Sequence, residues 1–73
     1  MDVWIVVEYT NEGDFYVNSV WVDADEARKA AKHRMEVECE NKQTYHQIDC
    51  NTWSVDYDDG WYCVEVVQRY LRH

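Results

Sequence analysis

The residues of this chain that are best suited to chemistry are its carboxylates. Fifteen Asp and Glu oppose seven Lys and Arg in 73 residues, for a formal net charge of −8. Glu36 and Glu40 are one helical turn apart, about 6 Å along a helix axis. Asp56 and Asp58 are about 7 Å apart along a strand, with Asp59 beside them. The spacing of these carboxylates gives around half the linear charge density of a DNA strand. They indicate one of two roles. Either they compete with nucleic acid for a basic groove on a partner protein, or they form a solvated surface that keeps the chain soluble.

Aromatic side chains accompany the second acidic group. The chain has four Trp and six Tyr but one Phe, and Trp and Tyr dominate binding hot spots. Tyr57, Trp61 and Tyr62 flank the turn Asp58-Asp59-Gly60, which joins rings to negative charge at one tip. The alternative is that these rings serve the core and cross-strand pairing. The predicted partner-binding residues are Glu36, Glu38, Glu40, Asp56, Tyr57, Asp58, Asp59 and Trp61, with the acids meeting Lys or Arg and the rings acting as anchors.

Metal binding and catalysis find less support in the residue pattern. Cys39, Cys50 and Cys63, with His33 and His46, supply enough ligands for zinc, but the usual spacing of two to four residues between paired cysteines is absent from the sequence. The sequence also lacks a Gly-rich phosphate loop, a nucleophile elbow and a Cys-His-Asp grouping. We therefore predict a protein that is not an enzyme and uses no cofactor or metal.

Charge and composition also restrict the partners and the compartment. A strongly negative chain repels nucleic acid and anionic membranes, and it attracts basic proteins. The sequence has neither an apolar run of membrane-spanning length nor a signal-peptide pattern at its N-terminus. Three widely spaced cysteines fit a reducing compartment. We expect a single cytoplasmic domain over residues 1–73 that binds neither nucleic acid directly nor membranes.

The first elements that must position these residues form a β-hairpin. Val3–Thr10 is β-branched and aromatic and predicts a central strand. Asn11–Asp14 is a turn in which Gly13 supplies a positive φ, and Phe15–Val22 returns as a second strand. The alternation places Val3, Ile5, Val7 and Tyr9 on one face of the first strand, and in the second strand it opposes Phe15, Val17 and Trp21 to Tyr16, Val20 and Val22.

A helix is predicted from Ala24 to about Asn41. Asp23 precedes it as a capping residue, and Glu26 completes a pattern like the capping box. An apolar stripe at intervals of four predicts the buried side. The stripe contains Ala27, Ala31, Met35 and Cys39, widened by Ala30 and Val37.

The second half of the chain predicts another hairpin. Gln43–Cys50 is either a short strand or an irregular connection. Trp53–Tyr57 alternates as a strand, Asp58–Gly60 is a turn, and Trp61 to about Arg69 is the closing strand. The order β-β-α-β-β indicates an α+β fold with a mostly antiparallel sheet and the helix on one face. The helix covers either the set around Trp4, Val6, Tyr16, Val20 and Val22 or the set around Ile5 and Val17, and the other set stays open.

The first half of the chain resembles small phage-encoded inhibitors of the anti-CRISPR type. The resemblance is carried by the opening strand Val3–Val7, the return strand at Val20–Val22 and the helix start Asp23–Ala31. It implies a protein that evades host defence by docking on a basic, nucleic-acid-binding surface of a host complex such as a CRISPR–Cas effector in the bacterial cytoplasm. The resemblance does not assign a functional role to any individual residue of this chain.

Two functions are therefore expected from sequence. The first is an acidic, nucleic-acid-mimicking inhibitor that acts by steric and electrostatic competition. The second is a structural or self-associating protein, with a homodimer formed through the open sheet face or an edge strand.

Overall fold

One antiparallel sheet with a helix on one face makes up the structure. The computed structural model describes residues 1–40 and 42–72, in which five strands form the sheet in the order β2-β1-β5-β4-β3. The elements are β1 (Asp2–Thr10), β2 (Phe15–Trp21), α1 (Ala24–Cys39), β3 (His46–Asp49), β4 (Thr52–Tyr57) and β5 (Gly60–Tyr70). The predicted α+β class is confirmed, and the segment Gln43–Cys50, which the sequence left open, contains the short edge strand β3. Within the described residues, no helix combines the length and apolar character needed to cross a membrane.

The first and last strands pair in the centre of the sheet. β1 and β5 run antiparallel in an uninterrupted register from Asp2 opposite Tyr70 to Thr10 opposite Tyr62. Each central strand then pairs with its own hairpin partner, β1 with β2 and β5 with β4. The turns of both hairpins therefore lie at the same end of the sheet.

The helix begins and packs as predicted. The Asp23 side chain accepts a hydrogen bond from the Glu26 backbone N–H at 2.9 Å, which caps the first turn. The predicted stripe is buried along its whole length, and its residues are Ala27, Ala31, Met35 and Cys39. These side chains pack against the β1, β4 and β5 residues Val6, Trp53, Val55, Val64 and Val66.

At its C-terminal end, the helix stops two residues before its approximate predicted end, and the prediction for Val37 is wrong. The helix ends at Cys39 because Glu40 adopts a left-handed conformation (φ 48°), with its N–H bonded to the Glu36 carbonyl; Asn41, the predicted end, lies outside the described residues. Val37 does not widen the stripe, since it is 51% exposed. Two residues beyond Met35 correspond to about 200° around the helix, so Val37 lies nearly opposite the buried side.

A β-bulge in β2 reverses part of the predicted face assignment. Val6 pairs with Ser19 but Val7 pairs with Val17, so Asn18 is an extra residue. Beyond the bulge, alternation is shifted by one position. Trp21 consequently lies on the helix-covered face and Val20 on the opposite face, the reverse of the prediction.

The helix covers the face that contains Trp4 and Val6. The opposite face carries no helix and is called the open face below. Its residues include Val3, Ile5, Val7 and Tyr9 on β1, Phe15, Val17 and Val20 on β2, Thr52, Ser54 and Asp56 on β4, and Trp61, Cys63, Glu65, Val67 and Arg69 on β5.

The two hairpin turns touch at Gly60. Asn11 in the first turn accepts a hydrogen bond from the Trp61 backbone N–H at 2.9 Å, and a Cβ on Gly60 would lie 2.6 Å from Asn11 Cγ. We predict that Gly60→Ala displaces this amide and lowers the free energy of unfolding by about 1–2 kcal/mol. Urea denaturation followed by circular dichroism measures the change.

Asn11→Ala provides the matched background for this prediction. It removes the amide that the new methyl group would strike, so Gly60→Ala is expected to cost less in the Asn11→Ala variant than in the natural chain. Equal costs in the two backgrounds would show that Asn11 is not the cause.

Candidate functional site

A cleft of about 360 Å³ lies where the two hairpin turns approach the C-terminal half of α1. We call it the tip cleft. Among the described residues that line it, five are acidic and one is basic, and five have aromatic rings. The acidic residues are Glu8, Glu12, Asp14, Glu38 and Asp59; the basic one is Arg34; and the aromatic ones are Tyr9, Tyr16, Tyr57, Trp61 and Tyr62.

The floor of the tip cleft is a buried carboxylate, Glu8, which is 8% exposed. Its Oε1 accepts hydrogen bonds from the Tyr62 hydroxyl at 2.6 Å and from Arg34 Nε at 3.0 Å. Its Oε2 accepts one from Asn18 Nδ2 at 3.0 Å. A buried charge is tolerated when it is paired and hydrogen-bonded in this way. The contacts join β1 to β2, β5 and α1 at one point.

These contacts determine the ionisation states of Glu8 and Tyr62. Burial acts to raise the pKa of Glu8, but the hydrogen bonds from Tyr62 and Asn18 and the charge of Arg34 outweigh it, so this pKa lies below its ordinary value of 4.5. Burial and the adjacent carboxylate raise the pKa of Tyr62 far above its ordinary value. Glu8 is therefore charged and Tyr62 protonated at neutral pH, as their hydrogen bond requires.

Arg34 is held between two acids. Besides Glu8, its guanidinium donates to Glu38 Oε1 at 3.0 Å, and its Cζ lies 5.6 Å from the centre of the Tyr62 ring, a cation–π distance. Glu38 Oε2 in turn accepts from the Tyr57 hydroxyl at 3.3 Å. The positive charge of Arg34 is thus balanced inside the cleft wall, so it adds little attraction for an anion.

Two aromatic residues of the open face, Tyr9 and Trp61, also line the tip cleft where it passes the end of the sheet. Tyr9 and Trp61 meet edge to face, with their centroids 5.8 Å apart and an interplanar angle of 87°. The Tyr9 hydroxyl donates to Glu65 Oε1 at 2.8 Å, which fixes its ring, while Trp61 is 37% exposed. Tyr9 and Trp61 therefore present their rings on the open-face side of the sheet, opposite the side on which Glu8 meets Arg34.

Free carboxylates surround the same opening. Glu12 and Asp14 in the first turn and Asp59 in the second are exposed. None of the three forms an ion pair with a cation in residues 1–40 or 42–72. Carboxylates beside ring faces are the groups that bind a guanidinium or ammonium side chain, by charge-assisted hydrogen bonds and cation–π contact.

The predicted site residues divide into two groups of four. Glu38, Tyr57, Asp59 and Trp61 line the tip cleft. Glu36, Glu40, Asp56 and Asp58 are exposed and lie outside its lining. Glu40 is the C-cap of α1 and forms an ion pair with Lys42 at 3.7 Å. Asp56 lies opposite Trp61 in the β4–β5 register.

Sequence reasoning missed the floor and one side of the cleft. Glu8, Arg34 and Tyr9 were not predicted, nor were Glu12 and Asp14. One signal was available for Glu8, because it is a charged residue between Val7 and Tyr9 in a strand predicted to be central. A charge in a central strand requires a buried partner, and searching for that partner would have directed attention to the cations of the helix.

The cysteines and histidines are dispersed. Cys39 and Cys63 are buried and Cys50 is exposed, all as free thiols. In the part of the chain that the structure describes, no three His, Cys, Asp or Glu side chains come close enough together to hold a metal ion.

The fold and the cleft together define a small α+β domain with a five-stranded antiparallel sheet, one covering helix and an acidic, aromatic cleft at one end. Comparison with protein-family models, with curated proteins and with solved structures finds no match.

The buried carboxylate makes stability depend on pH. Since the folded-state pKa of Glu8 lies below 4.5, its ionised form stabilises the fold fully above about pH 4.5, and this contribution is lost as the pH falls through the lower folded-state pKa. We predict that Glu8→Gln costs about 2 kcal/mol of unfolding free energy at pH 7 and that the cost shrinks at pH 3. Urea denaturation at both values measures it.

Glu12→Gln is the matched control, because it makes the same change at an exposed position of the same cleft. Its unfolding free energy at pH 7 should stay within about 0.5 kcal/mol of that of the natural chain. A Glu8→Gln variant as stable as the natural chain at pH 7 would contradict the assigned role of Glu8.

Proposed function

We propose that this protein binds a basic surface of another protein through the tip cleft and blocks that surface by occupying it. The observation that carries the proposal is the mouth of the cleft. Unpaired carboxylates of the two hairpin turns line the cleft together with Trp61, which is accessible from the open-face side, while the Arg34 charge is balanced by Glu8 and Glu38. A positively charged side chain of a partner is the group that this arrangement favours.

The shape and chemistry favour an arginine over a small-molecule ligand. A volume of about 360 Å³ lies at the low end of the range for ligand pockets. A planar guanidinium stacks on a ring such as Trp61 while its fork of N–H groups bonds to a carboxylate such as Asp59. Nothing in this mode of action requires a catalytic step or a cofactor.

The proposed partner class follows from the charge and from the resemblance. A net charge of −8 accelerates encounter with a basic protein and keeps the chain off nucleic acid. The resemblance to anti-CRISPR inhibitors makes a nucleic-acid-binding host complex, such as a CRISPR–Cas effector, the proposed target. Docking there would exclude the nucleic acid both sterically and electrostatically.

A titration with an arginine-rich peptide tests the cleft directly. We predict that nona-arginine, added to ¹⁵N-labelled protein, shifts the backbone amide signals around the two hairpin turns and that binding weakens as salt rises. Asp59→Lys should weaken binding by about tenfold, since it replaces attraction with repulsion at the cleft mouth.

Glu36→Lys is the matched control. It makes the same charge change at an exposed helix position outside the cleft lining, so its effect should be markedly smaller. Equal losses from the two variants would indicate a general charge effect and contradict the cleft. Signals that shift elsewhere in the sheet, or a binding constant indifferent to salt, would also contradict the proposal.

A further inference from the structure

The open face has a different character from the acidic end of the molecule. It contains an apolar groove of about 310 Å³ between β2, β1 and β5. Val17 in this groove is 60% exposed and Phe15 is 62% exposed. The charged residues that line the groove are one acid and one base, Glu65 and Arg69. In a chain of net charge −8, this surface is therefore locally neutral.

The two charges are arranged symmetrically about an apolar residue. Glu65, Val67 and Arg69 alternate along β5 and point to the same face, so Val67 lies midway between them, about 7 Å from each along the strand. A two-fold axis passing at Val67 would place Glu65 of one copy opposite Arg69 of another, and the reverse. Such a pattern is self-complementary, which is the property that an isologous interface requires.

The charged groups are also available for this pairing. Arg69 donates to the Gln68 carbonyl at 2.7 Å, and no carboxylate of the described residues lies within ion-pair distance of it. Glu65 is held in position by the Tyr9 hydroxyl. An oriented acid and an unpaired base thus flank exposed apolar side chains.

We propose that the open face packs against the open face of a second copy of this chain, around a two-fold axis at Val67. The interface would bury Ile5 and Val20, which lie in register with Val67, between two reciprocal Glu65–Arg69 pairs, and also Val17, which lies in the row of Glu65. Strand geometry gives a sheet roughly 20 Å wide with central strands roughly 30 Å long. Because β2, β3 and β4 are shorter than the central strands, the product, on the order of 600 Å², is an upper limit for the flat area of one face, and it lies at the small end of the roughly 600–1,000 Å² per partner of stable interfaces.

Charge decides between a second copy and a basic partner on this face. A neutral groove has no particular electrostatic attraction for a basic protein. In contrast, the charges of the groove are complementary to those of a second copy related by the two-fold axis. The acids of the tip cleft lie at the end of the sheet. Mutual repulsion of two negatively charged copies is screened beyond about 8 Å at physiological salt.

Analytical ultracentrifugation of the full chain at micromolar concentrations and about 0.15 M salt tests the proposal. The natural chain should sediment as a dimer, and Val17→Asp should weaken dimerisation by at least about tenfold. Val37→Asp is the matched control, because Val37 is a similarly exposed valine (51%) on the helix, away from the open face. That variant should remain dimeric.

A charge exchange separates the proposed pairing from a general loss of structure. Arg69→Glu places acid opposite acid and should weaken the dimer, while adding Glu65→Arg restores opposite charges and should recover it. A monomeric natural chain overturns the proposal. So does a dimer that survives both Val17→Asp and Arg69→Glu, since such a dimer uses another surface. If the doubly exchanged chain fails to fold, the contrast between Val17→Asp and Val37→Asp still decides.

Discussion

The antiparallel pairing of β1 with β5 is the constraint on which the rest of the structure depends. It joins strands from opposite ends of the chain over the full length of β1, so the central strand of each hairpin is paired on its second edge by the other hairpin. This pairing places both hairpin turns at one end of the sheet, where Asn11 accepts a hydrogen bond from the Trp61 backbone. Without it, the acids of the two turns would belong to separate surfaces.

Glu8 shows how a small domain positions a polar site at its own core. Burying a carboxylate costs free energy unless it is paired and hydrogen-bonded, and here Tyr62, Arg34 and Asn18 donate three hydrogen bonds to it. The donors come from three elements, so the network holds α1 and β2 against the central strands at one end. Arg34 is occupied by Glu8 and Glu38, which leaves the outward-facing charge of the cleft negative.

Two surfaces of unlike chemistry result. The end of the sheet is acidic, whereas the groove on the open face is apolar and lined by one acid and one base. The bulge at Asn18 contributes to both, because it lets Asn18 reach Glu8 while placing Val17 and Val20 together on the open face. A single inserted residue therefore shapes the cleft floor and the opposite surface at once.

Local pattern was enough to predict most of the elements and the N-cap of the helix. The strands around Val6 and Val55, the helix stripe and the Asp23 cap depend on periodicity and on neighbours within four residues, which the sequence displays directly. Only the tertiary structure decided which face the helix covers, where the β2 register shifts, and that Glu8 meets Arg34. Those outcomes depend on strand pairings and side-chain contacts between segments up to about 70 residues apart, and the alternation of a single strand carries no record of its partner or its register.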